Sequence, residues 1–365
     1  MPDVAPPFTD QPSLRQIAAE IMTVDETTQV ELSRPGGKVS APCFRGQLRG
    51  DPESAYAYVA PRFREQGHTA MLQQADKGGV ALIAMPGLTE TTPSRLWVAL
   101  LLFALTIIST AFVGGFTEVG YSLGQGLAFS AALLSILLAH EMGHYLVARR
   151  MGVAVSYPFF LPVPLPPLGT MGAFISIKEP PPNRKTILAI GIAGPLAGLV
   201  VAIPVLLLGL NLSEVRPLVP LEGGFVEGNS LIYAAMKIAV FGRFLPSGGE
   251  DVFLHPVALA GWAGLLVTGL NLIPAGQLDG GHIFFALFGP RVAQYVTMVI
   301  AVALLGLGFV WSGWFIWAVL VAVFGLQRTP LLNEVAPLRG GWRLLAIGGL
   351  LLFVLAFIPV PITQL

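Results

Sequence analysis

The sequence has few charged residues and almost no cysteine. Of its 365 residues, 21 are Lys or Arg and 21 are Asp or Glu, so the formal net charge is zero. Charged residues make up 12 % of the chain, against a usual share of ~25 % in globular proteins. This composition excludes a disordered chain and a nucleic-acid partner bound through bulk positive charge. The single cysteine, Cys43, excludes a disulfide framework and a cysteine-based zinc knuckle.

Hydrophobic residues dominate the chain beyond its first quarter. They make up 54 % of the sequence, and the mean hydropathy is +0.72. Residues 1–95 hold 20 of the 42 charges, and the remaining 270 residues hold 22. Each charge-free run below exceeds the ~20 residues that a helix needs to cross ~30 Å of hydrocarbon. The runs are 96–117, 119–140, 186–213, 252–278, 292–327 and 344–365.

These runs predict a membrane protein that is mainly α-helical. The run 292–327 is too long for one span, and a break near residues 311–313 would divide it in two. We therefore expect a polytopic helix bundle of about seven spans. Residues 231–245 are apolar but hold two basic residues, so we interpret them as an interfacial helix. The predicted spans are 97–116, 124–148, 187–209, 256–274, 292–309, 312–327 and 344–361.

Residues 1–95 are predicted to form a small soluble α+β domain, and no signal peptide is recognisable within them. A short helix is predicted at 13–22. Asp51 and Pro52 are typical of an N-cap and a first helical residue, and Gly67 is typical of a helix end. Together with a turn at 76–79, the pattern predicts a βαββ unit. Its strands are expected at 42–48, 69–75 and 80–85.

The distribution of basic residues predicts the orientation in the membrane. The connection 149–185 contains five of them, whereas the loop 117–123 contains none. Because basic loops stay on the cytoplasmic side, the N-terminal region and the loops 149–185 and 328–343 are expected there. The sequence thus predicts a multi-pass integral membrane protein in the lipid bilayer.

The second predicted span ends in a motif with ionisable side chains. His140 and His144 are four residues apart, so on a helix both imidazoles lie on one face and can reach one metal ion. Glu141 lies beside them and could address a metal-bound water. Two histidines and an oxygen ligand suit tetrahedral zinc with one open position. Ionisable groups cost ~2.5–3.5 kcal/mol each at mid-membrane, so their presence favours a function over a hydrogen-bonded structural pair.

Asp279 follows the charge-free run 252–278 and supplies a candidate third ligand. An isolated buried carboxylate would be costly, whereas a nearby metal ion favours its ionised form. In the predicted orientation, the second and fourth spans both run toward the cytoplasmic side. His140, His144 and Asp279 should therefore lie at similar depth. A simple helix cap at the membrane edge is the alternative interpretation of Asp279.

The histidine pair on a membrane helix, followed by Asn271-x-x-Pro274 and Leu278-Asp279-Gly280, resembles the site-2 protease family of intramembrane zinc metalloproteases, over residues 97–290. The resemblance implies one Zn²⁺ per chain held by His140, His144 and Asp279. It implies Glu141 as the catalytic general base and Asn271 as a substrate-binding residue.

The segment 157–179 also resembles this family. Its Gly169-Thr170-Met171-Gly172 stretch is followed by residues 174–177, which favour a strand that could bind an unwound substrate; a plain connecting loop is the alternative. Gly169 and Gly172 are therefore candidate substrate-binding residues. The chain has no insertion long enough for a PDZ domain and no CBS-like region, which is typical of a bacterial type without these modules.

The resemblance implies an enzyme, a zinc metalloendopeptidase that hydrolyses peptide bonds in or near transmembrane segments of membrane-anchored protein substrates. It divides the chain into a soluble N-terminal domain (1–95), a catalytic transmembrane core (96–290) and C-terminal transmembrane helices (291–365). The expected location is the inner membrane of a bacterium, with the active site near the cytoplasmic side. Substrate identity and oligomeric state stay open.

Three further motifs have structural interpretations. Gly194 and Gly198 form a small-xxx-small motif that is typical of helix packing. His282, three residues after Asp279, could support the site or cap the helix break and is not counted as a ligand. His255 lies at the outer end of the fourth span.

Two alternatives remain at this point. One is a zinc protease with a glutamate as third ligand, for which the candidates are Glu179, Glu214, Glu222 and Glu227. The other is a non-catalytic metal-binding membrane protein or a transporter, since transporters also use broken helices. Glu141 argues against the second alternative, because a binding site needs no carboxylate beside an open coordination position.

Overall fold

The structure is a computed structural model that describes residues 13–34, 37–75, 78–87, 94–117, 120–218, 225–325 and 330–364. It is mostly helical, and its described residues fall into two compact units. The first unit takes the described residues within 1–90, 180–184 and 330–337, and the second takes the others.

The first unit is a four-stranded antiparallel sheet with two helices. Ser13 caps the first helix through a capping box with Gln16, and Asp51 caps the second by accepting from the backbone of Glu53 and Ser54. The strands follow the order β1-β2-β4-β3. The elements are α1 (Leu14–Ile21), β1 (Met22–Arg34), β2 (Gly37–Leu48), α2 (Pro52–Glu65), β3 (His68–Gln74) and β4 (Val80–Pro86).

The prediction of a βαββ unit is incomplete, because the sheet has a further strand, β1, that the prediction omits. This strand is rich in Thr, Glu and Gln, and a register shift between Val24 and Glu26 interrupts the alternation that would have marked it. The helices were predicted correctly, as was the position of the other strands. Asp76 and Lys77 of the predicted turn lie outside the described residues, and Gly78 and Gly79 have positive φ angles.

A distant segment completes the first unit. The backbone N–H of Leu72 in β3 donates to the carbonyl of Leu332, and the N–H of Glu334 donates to the carbonyl of Leu72. The core below the sheet packs Val59 and Phe63 of α2 against the strands. Within residues 330–337, the backbone at 332–334 therefore pairs with Leu72 at the outer edge of β3.

The second unit holds the hydrophobic helices. Its central core packs Phe129 and Leu133 with Leu206 and Trp262, all buried. The helices are α3 (Leu96–Gly114), α4 (Leu123–Arg150), α5 (Arg184–Asn211), α6 (Leu231–Phe241), α7 (Pro256–Asn271), α8 (Asp279–Phe288), α9 (Pro290–Leu307), α10 (Gly313–Phe324) and α11 (Gly341–Ala356).

Short strands join these helices as two-stranded sheets in the described part of the unit. β5 pairs with β6, β7 with β8, β9 with β11 and β10 with β12. The strands are β5 (Phe116–Thr117), β6 (Gly120–Tyr121), β7 (Phe159–Pro162), β8 (Thr170–Phe174), β9 (Glu214–Pro217), β10 (Phe225–Glu227), β11 (Glu250–Phe253) and β12 (Ile362–Gln364).

Within the described residues, four helices are long and apolar enough to cross a membrane: α3, α4, α5 and α9. The predicted count of about seven spans is not confirmed. The helices α7, α10 and α11 have 16, 12 and 16 residues, and 16 residues extend only about 24 Å. Residues 231–245, for which an interfacial helix is predicted, contain helix α6, and the break predicted at 311–313 lies at the junction of α9 and α10. An integral membrane protein with helical spans and a small α+β unit is thus the supported architecture.

Candidate metal centre

Helix α4 presents two buried histidines on one face. His140 and His144 are 3 % and 6 % exposed, and their Nε2 atoms lie 3.1 Å apart. At 1.5 Å per residue they stand about 9 to 15 Å from the end of α4 at Arg150. The side chains therefore lie inside a hydrophobic helix and near its basic end.

The segment between α7 and α8 brings a carboxylate to the same place. After Asn271 the backbone turns through residues 272–278, and Asp279 is the first residue of α8. Space for this turn requires glycine: a β-carbon at Gly280 would lie 1.9 Å from the carbonyl oxygen of Leu272. Leu272 is fully buried in the protein, a condition under which irregular backbone is tolerated at membrane depth.

The three side chains form a triangle of ligand atoms. Asp279 Oδ2 lies 3.2 Å from His140 Nε2 and 3.3 Å from His144 Nε2. Tetrahedral zinc has ligands at 2.0–2.2 Å, which places any two of them about 3.3 Å apart. Within the described residues, this is the group of His, Cys, Asp and Glu that could hold a metal ion. The sequence-predicted ligand set thus has the spacing that zinc requires.

Hydrogen bonding fixes the tautomer of His144. Its Nδ1 lies 2.7 Å from the carbonyl oxygen of Ile190 in α5, and a carbonyl can only accept, so Nδ1 donates. The neutral ring then carries its lone pair on Nε2, which faces the carboxylate of Asp279. Two acceptors at 3.3 Å need a cation or proton between them. A backbone carbonyl that orients a metal-binding histidine is a common supporting contact.

Small residues on α5 make room for the imidazoles. A β-carbon at Gly194 would lie 2.0 Å from His144 Nε2, and one at Gly198 would lie 3.2 Å from His140 Nδ1. On α4, a β-carbon at Gly143 would lie 2.5 Å from the carbonyl oxygen of Ala193. The small-xxx-small motif does serve helix packing, but its neighbours are the two histidines themselves.

Glu141 and Asn271 lie beside the triangle. The carboxylate of Glu141 is buried and within electrostatic range of His140, His144 and Asp279, and no described residue donates a hydrogen bond to it. Asn271, the last residue of α7, places Nδ2 3.5 Å from His140 Nε2. A proton acceptor and an amide donor thus lie next to the ligand atoms.

The two other histidines of this unit lie outside the ligand triangle. The backbone N–H of His282 donates to the carbonyl of Leu278, as expected in the first turn of α8. His255 caps α7, where its Nδ1 accepts from the backbone of Val257. Neither belongs to the group of described side chains that could hold a metal ion.

The glycines predicted to bind substrate lie in the β7–β8 hairpin. A β-carbon at Gly169 would lie 2.7 Å from the carbonyl oxygen of Ser109 in α3, so close packing accounts for this glycine. Gly172 has a φ of 94°, and no atom beyond its chain neighbours lies within 4 Å of the position that a β-carbon would take. The strand expected at 174–177 is found at Thr170–Phe174 instead, and Ile177 makes only an isolated bridge with Val155.

The glutamates considered as alternative ligands have other partners. Glu179 accepts from the backbone of Ala154, Glu214 pairs with Arg216, and Glu227 pairs with Lys237. Glu222 lies outside the described residues. The described glutamates are therefore not part of the metal-binding group.

Comparison with known proteins agrees with this site. Residues 128–308 match the model of peptidase family M50. The chain is 31 % identical over 339 residues to the probable zinc metalloprotease EGY2, chloroplastic, of Arabidopsis thaliana, covering 87 % of this chain and 60 % of that protein. It is 30 % identical over 367 residues to the probable zinc metalloprotease EGY1, chloroplastic, of Oryza sativa subsp. japonica, covering 87 % and 62 %. No solved structure matches the chain.

These relatives set the limits of the family assignment. The chain spans about three fifths of their length. They are plant proteins named as chloroplastic, so the expected bacterial type and bacterial inner membrane are not borne out. The family match itself covers α4, where the histidines lie, and continues beyond Asp279. The chain thus carries a peptidase family M50 domain, the domain of the site-2 proteases, at residues 128–308.

Proposed function

We propose that this protein is an intramembrane zinc metalloprotease that hydrolyses peptide bonds in or near the transmembrane segments of membrane-anchored proteins. The observation that carries the proposal is the triangle formed by the buried His140 and His144 and the half-buried Asp279, with Glu141 beside it. The M50 family match and the zinc metalloprotease names of the relatives support the same chemistry.

In this proposal the chain holds one zinc ion through His140, His144 and Asp279. Bound zinc supplies the Lewis acid that polarises the scissile carbonyl and activates water. Glu141 accepts the proton of the attacking water and delivers it to the leaving amine nitrogen. Its carboxylate is suited to this role because no described residue donates a hydrogen bond to it.

Substrate binding is proposed for Asn271 and the β7–β8 hairpin with Gly169 and Gly172. The amide of Asn271 lies close enough to the ligand triangle to donate to a substrate carbonyl or to the developing oxyanion. Within the described residues β8 pairs only with β7, so an unwound substrate could add to its other edge. The exposed Met171 and Phe174 on this strand offer apolar contacts to a membrane substrate.

The membrane arrangement belongs to the proposal as well. About seven spans, with the metal centre near the side that carries the basic loops, would give water access from the cytoplasmic side. The proposal divides the chain into a soluble domain (1–95), a catalytic core (96–290) and C-terminal helices (291–365). A short helix such as α7 can contribute to a span when the adjoining buried segment extends it.

The direct test is zinc per chain in detergent-purified protein, together with cleavage of a membrane-anchored reporter. The wild type should hold about one zinc and cleave. Asp279→Ala should lose most zinc and all cleavage, whereas Glu141→Gln should keep zinc and lose cleavage. His255→Ala, a histidine that only caps α7, is the matched control and should keep both.

Other outcomes would overturn specific parts of the proposal. Zinc unchanged in Asp279→Ala would reject the aspartate as third ligand. Zinc retained together with undiminished cleavage in Glu141→Gln would reject the general base. Stoichiometric zinc without cleavage of any membrane reporter would favour the non-catalytic binding protein or transporter.

A further inference from the structure

A groove on the second unit lies outside the proposed reaction. It has a volume of about 440 Å³ and is bordered by the end of α4, the first turns of α5 and the start of α11. Most of its lining is aliphatic, including Val147, Ile192 and Leu196. The groove is therefore an apolar surface with a defined shape, formed by three helices.

Basic and aromatic side chains lie at one end of this groove. Arg150 is the last residue of α4, and Trp342 is the second residue of α11. The Nζ of Lys185, near the start of α5, lies 5.0 Å from the ring centroid of Trp342. Tryptophan and basic side chains at helix ends are typical of the boundary between headgroups and hydrocarbon. This end of the groove is thus at headgroup level.

The positive charges at this end lack protein counter-ions. Arg150 and Lys185 are exposed, and neither of them forms an ion pair with any carboxylate that the structure describes. Basic pockets between membrane helices attract anionic headgroups. The ligand that complements this end of the groove is therefore an anion.

The apolar part of the groove runs along one side of α5. It follows α5 from Ala189 through Ile192 and Ala193 to Leu196. The eight residues from Ala189 to Leu196 extend about 10 Å along the helix. Half of a ~30 Å hydrocarbon layer is about 15 Å, so the groove can take about two thirds of an acyl chain, the part nearer the headgroup.

We propose that this groove binds an anionic phospholipid, with its phosphate at Arg150 and Lys185 and one acyl chain along α5. The lipid would contact the helix pair that carries the metal centre, because Ala193 lines the groove and its carbonyl abuts Gly143 of α4. It would thereby support the α4–α5 contact that includes the bond from His144 to Ile190. This binding site is separate from the proposed function and does not depend on it.

The experiment compares lipid retention by the full-length chain in nanodiscs of phosphatidylglycerol and of phosphatidylcholine. Native mass spectrometry after release should find one phosphatidylglycerol retained and phosphatidylcholine lost. Because each basic residue near a membrane surface contributes about a fivefold preference, Arg150→Gln and Lys185→Gln should each lower retention about fivefold. A photoactivatable phosphatidylglycerol should cross-link to residues lining the groove, such as Ala189 and Leu196.

A matched variant separates the groove from general surface charge. Arg95, at the start of α3, is also an exposed arginine at the end of a hydrophobic helix but does not line the groove. Arg95→Gln should keep the wild-type retention, and all variants should keep the wild-type elution volume. Equal retention of the two lipids, an equal loss in Arg95→Gln, or cross-links away from the groove would overturn the proposal. So would a membrane-protein substrate cross-linking in the groove in place of lipid.

Discussion

Gly194 of α5 faces the Nε2 edge of His144, at a distance that leaves no space for a side chain. A β-carbon at this position would lie 2.0 Å from Nε2. Gly198, one turn further along α5, faces His140 in the same way but less tightly, at 3.2 Å from Nδ1. The two glycines and the two histidines share a four-residue spacing, so the antiparallel helices present them in register.

Gly194→Ala should remove zinc without unfolding the protein. The new methyl group forces the His144 ring to turn away from Asp279, while alanine favours the helix more than glycine does. We expect the affinity for zinc to fall at least 10- to 100-fold, as when a supporting contact of a metal ligand is lost. Zinc titration of purified protein against a competing chelator measures the change.

Two other glycine-to-alanine variants serve as comparisons for Gly194→Ala. Gly198→Ala should have a smaller effect because the contact is looser, and Gly306→Ala in α9 should leave zinc affinity unchanged because nothing lies within 4 Å of its β-carbon. Equal zinc affinity in the Gly194 and Gly306 variants would show that His144 can bind the metal in another orientation.

The residues that form the ligand triangle could be predicted because they are rare in their surroundings. His140 and His144 end a charge-free run with helical spacing, and Asp279 ends another run next to two glycines. An ionisable group in a hydrophobic segment needs a physical reason. Because the charge-free runs and the ionisable residues that end them are visible in the sequence, these positions could be identified without the structure.

Other features of the site and fold cannot be recognised from the local sequence. The carbonyl of Ile190 orients His144, but every residue has a carbonyl, and only the packing of α5 against α4 selects this one. The role of Gly194 was hidden within a motif that also serves ordinary helix packing. The pairing of residues 330–337 with β3 spans some 260 positions of the chain. Local patterns carry no information about such contacts.

Asn271→Ala should separate substrate binding from metal binding. Its Nδ2 lies 3.5 Å from His140 Nε2 but the residue is not a ligand, so zinc content should stay at the wild-type level. Loss of an oxyanion donor lowers kcat by about 10²–10³-fold. Cleavage of a membrane reporter at saturating substrate measures kcat, and Asn211→Ala on the exposed end of α5 is the control. A large loss of zinc would instead assign Asn271 to positioning His140.

Lys237→Met should destabilise the second unit strongly. The ammonium group of Lys237 is fully buried, 2.9 Å from Glu227 and 3.2 Å from Asp251. Without it, two buried carboxylates lie close together with no positive charge between them, which costs about 3–5 kcal/mol. Thermal unfolding in detergent should show a clearly lower midpoint. Lys38→Met is the control. It removes an ion pair of similar length with Glu31, but both side chains of that pair are about 70 % exposed, and such exposed pairs contribute at most about 1 kcal/mol.

A comparable thermal unfolding midpoint for Lys237→Met and Lys38→Met would mean that water reaches the carboxylates around Lys237. Lys237→Arg keeps the positive charge and can donate to both carboxylates. It should therefore recover part of the stability that Lys237→Met loses.

Asn333→Ala should destabilise the first unit from a position far outside the N-terminal region. Asn333 is 2 % exposed, its Nδ2 donates to the carbonyl of Pro52, and its Oδ1 accepts from the backbone of Ala336. Truncation removes both hydrogen bonds and leaves the buried backbone N–H of Ala336 without its acceptor, which costs about 1–3 kcal/mol. Hydrogen exchange should then rise in β3, because the adjacent N–H of Leu72 donates to Leu332. Unchanged exchange in β3 would mean that the sheet keeps its outer edge without this segment, and that residues 1–95 form a domain by themselves.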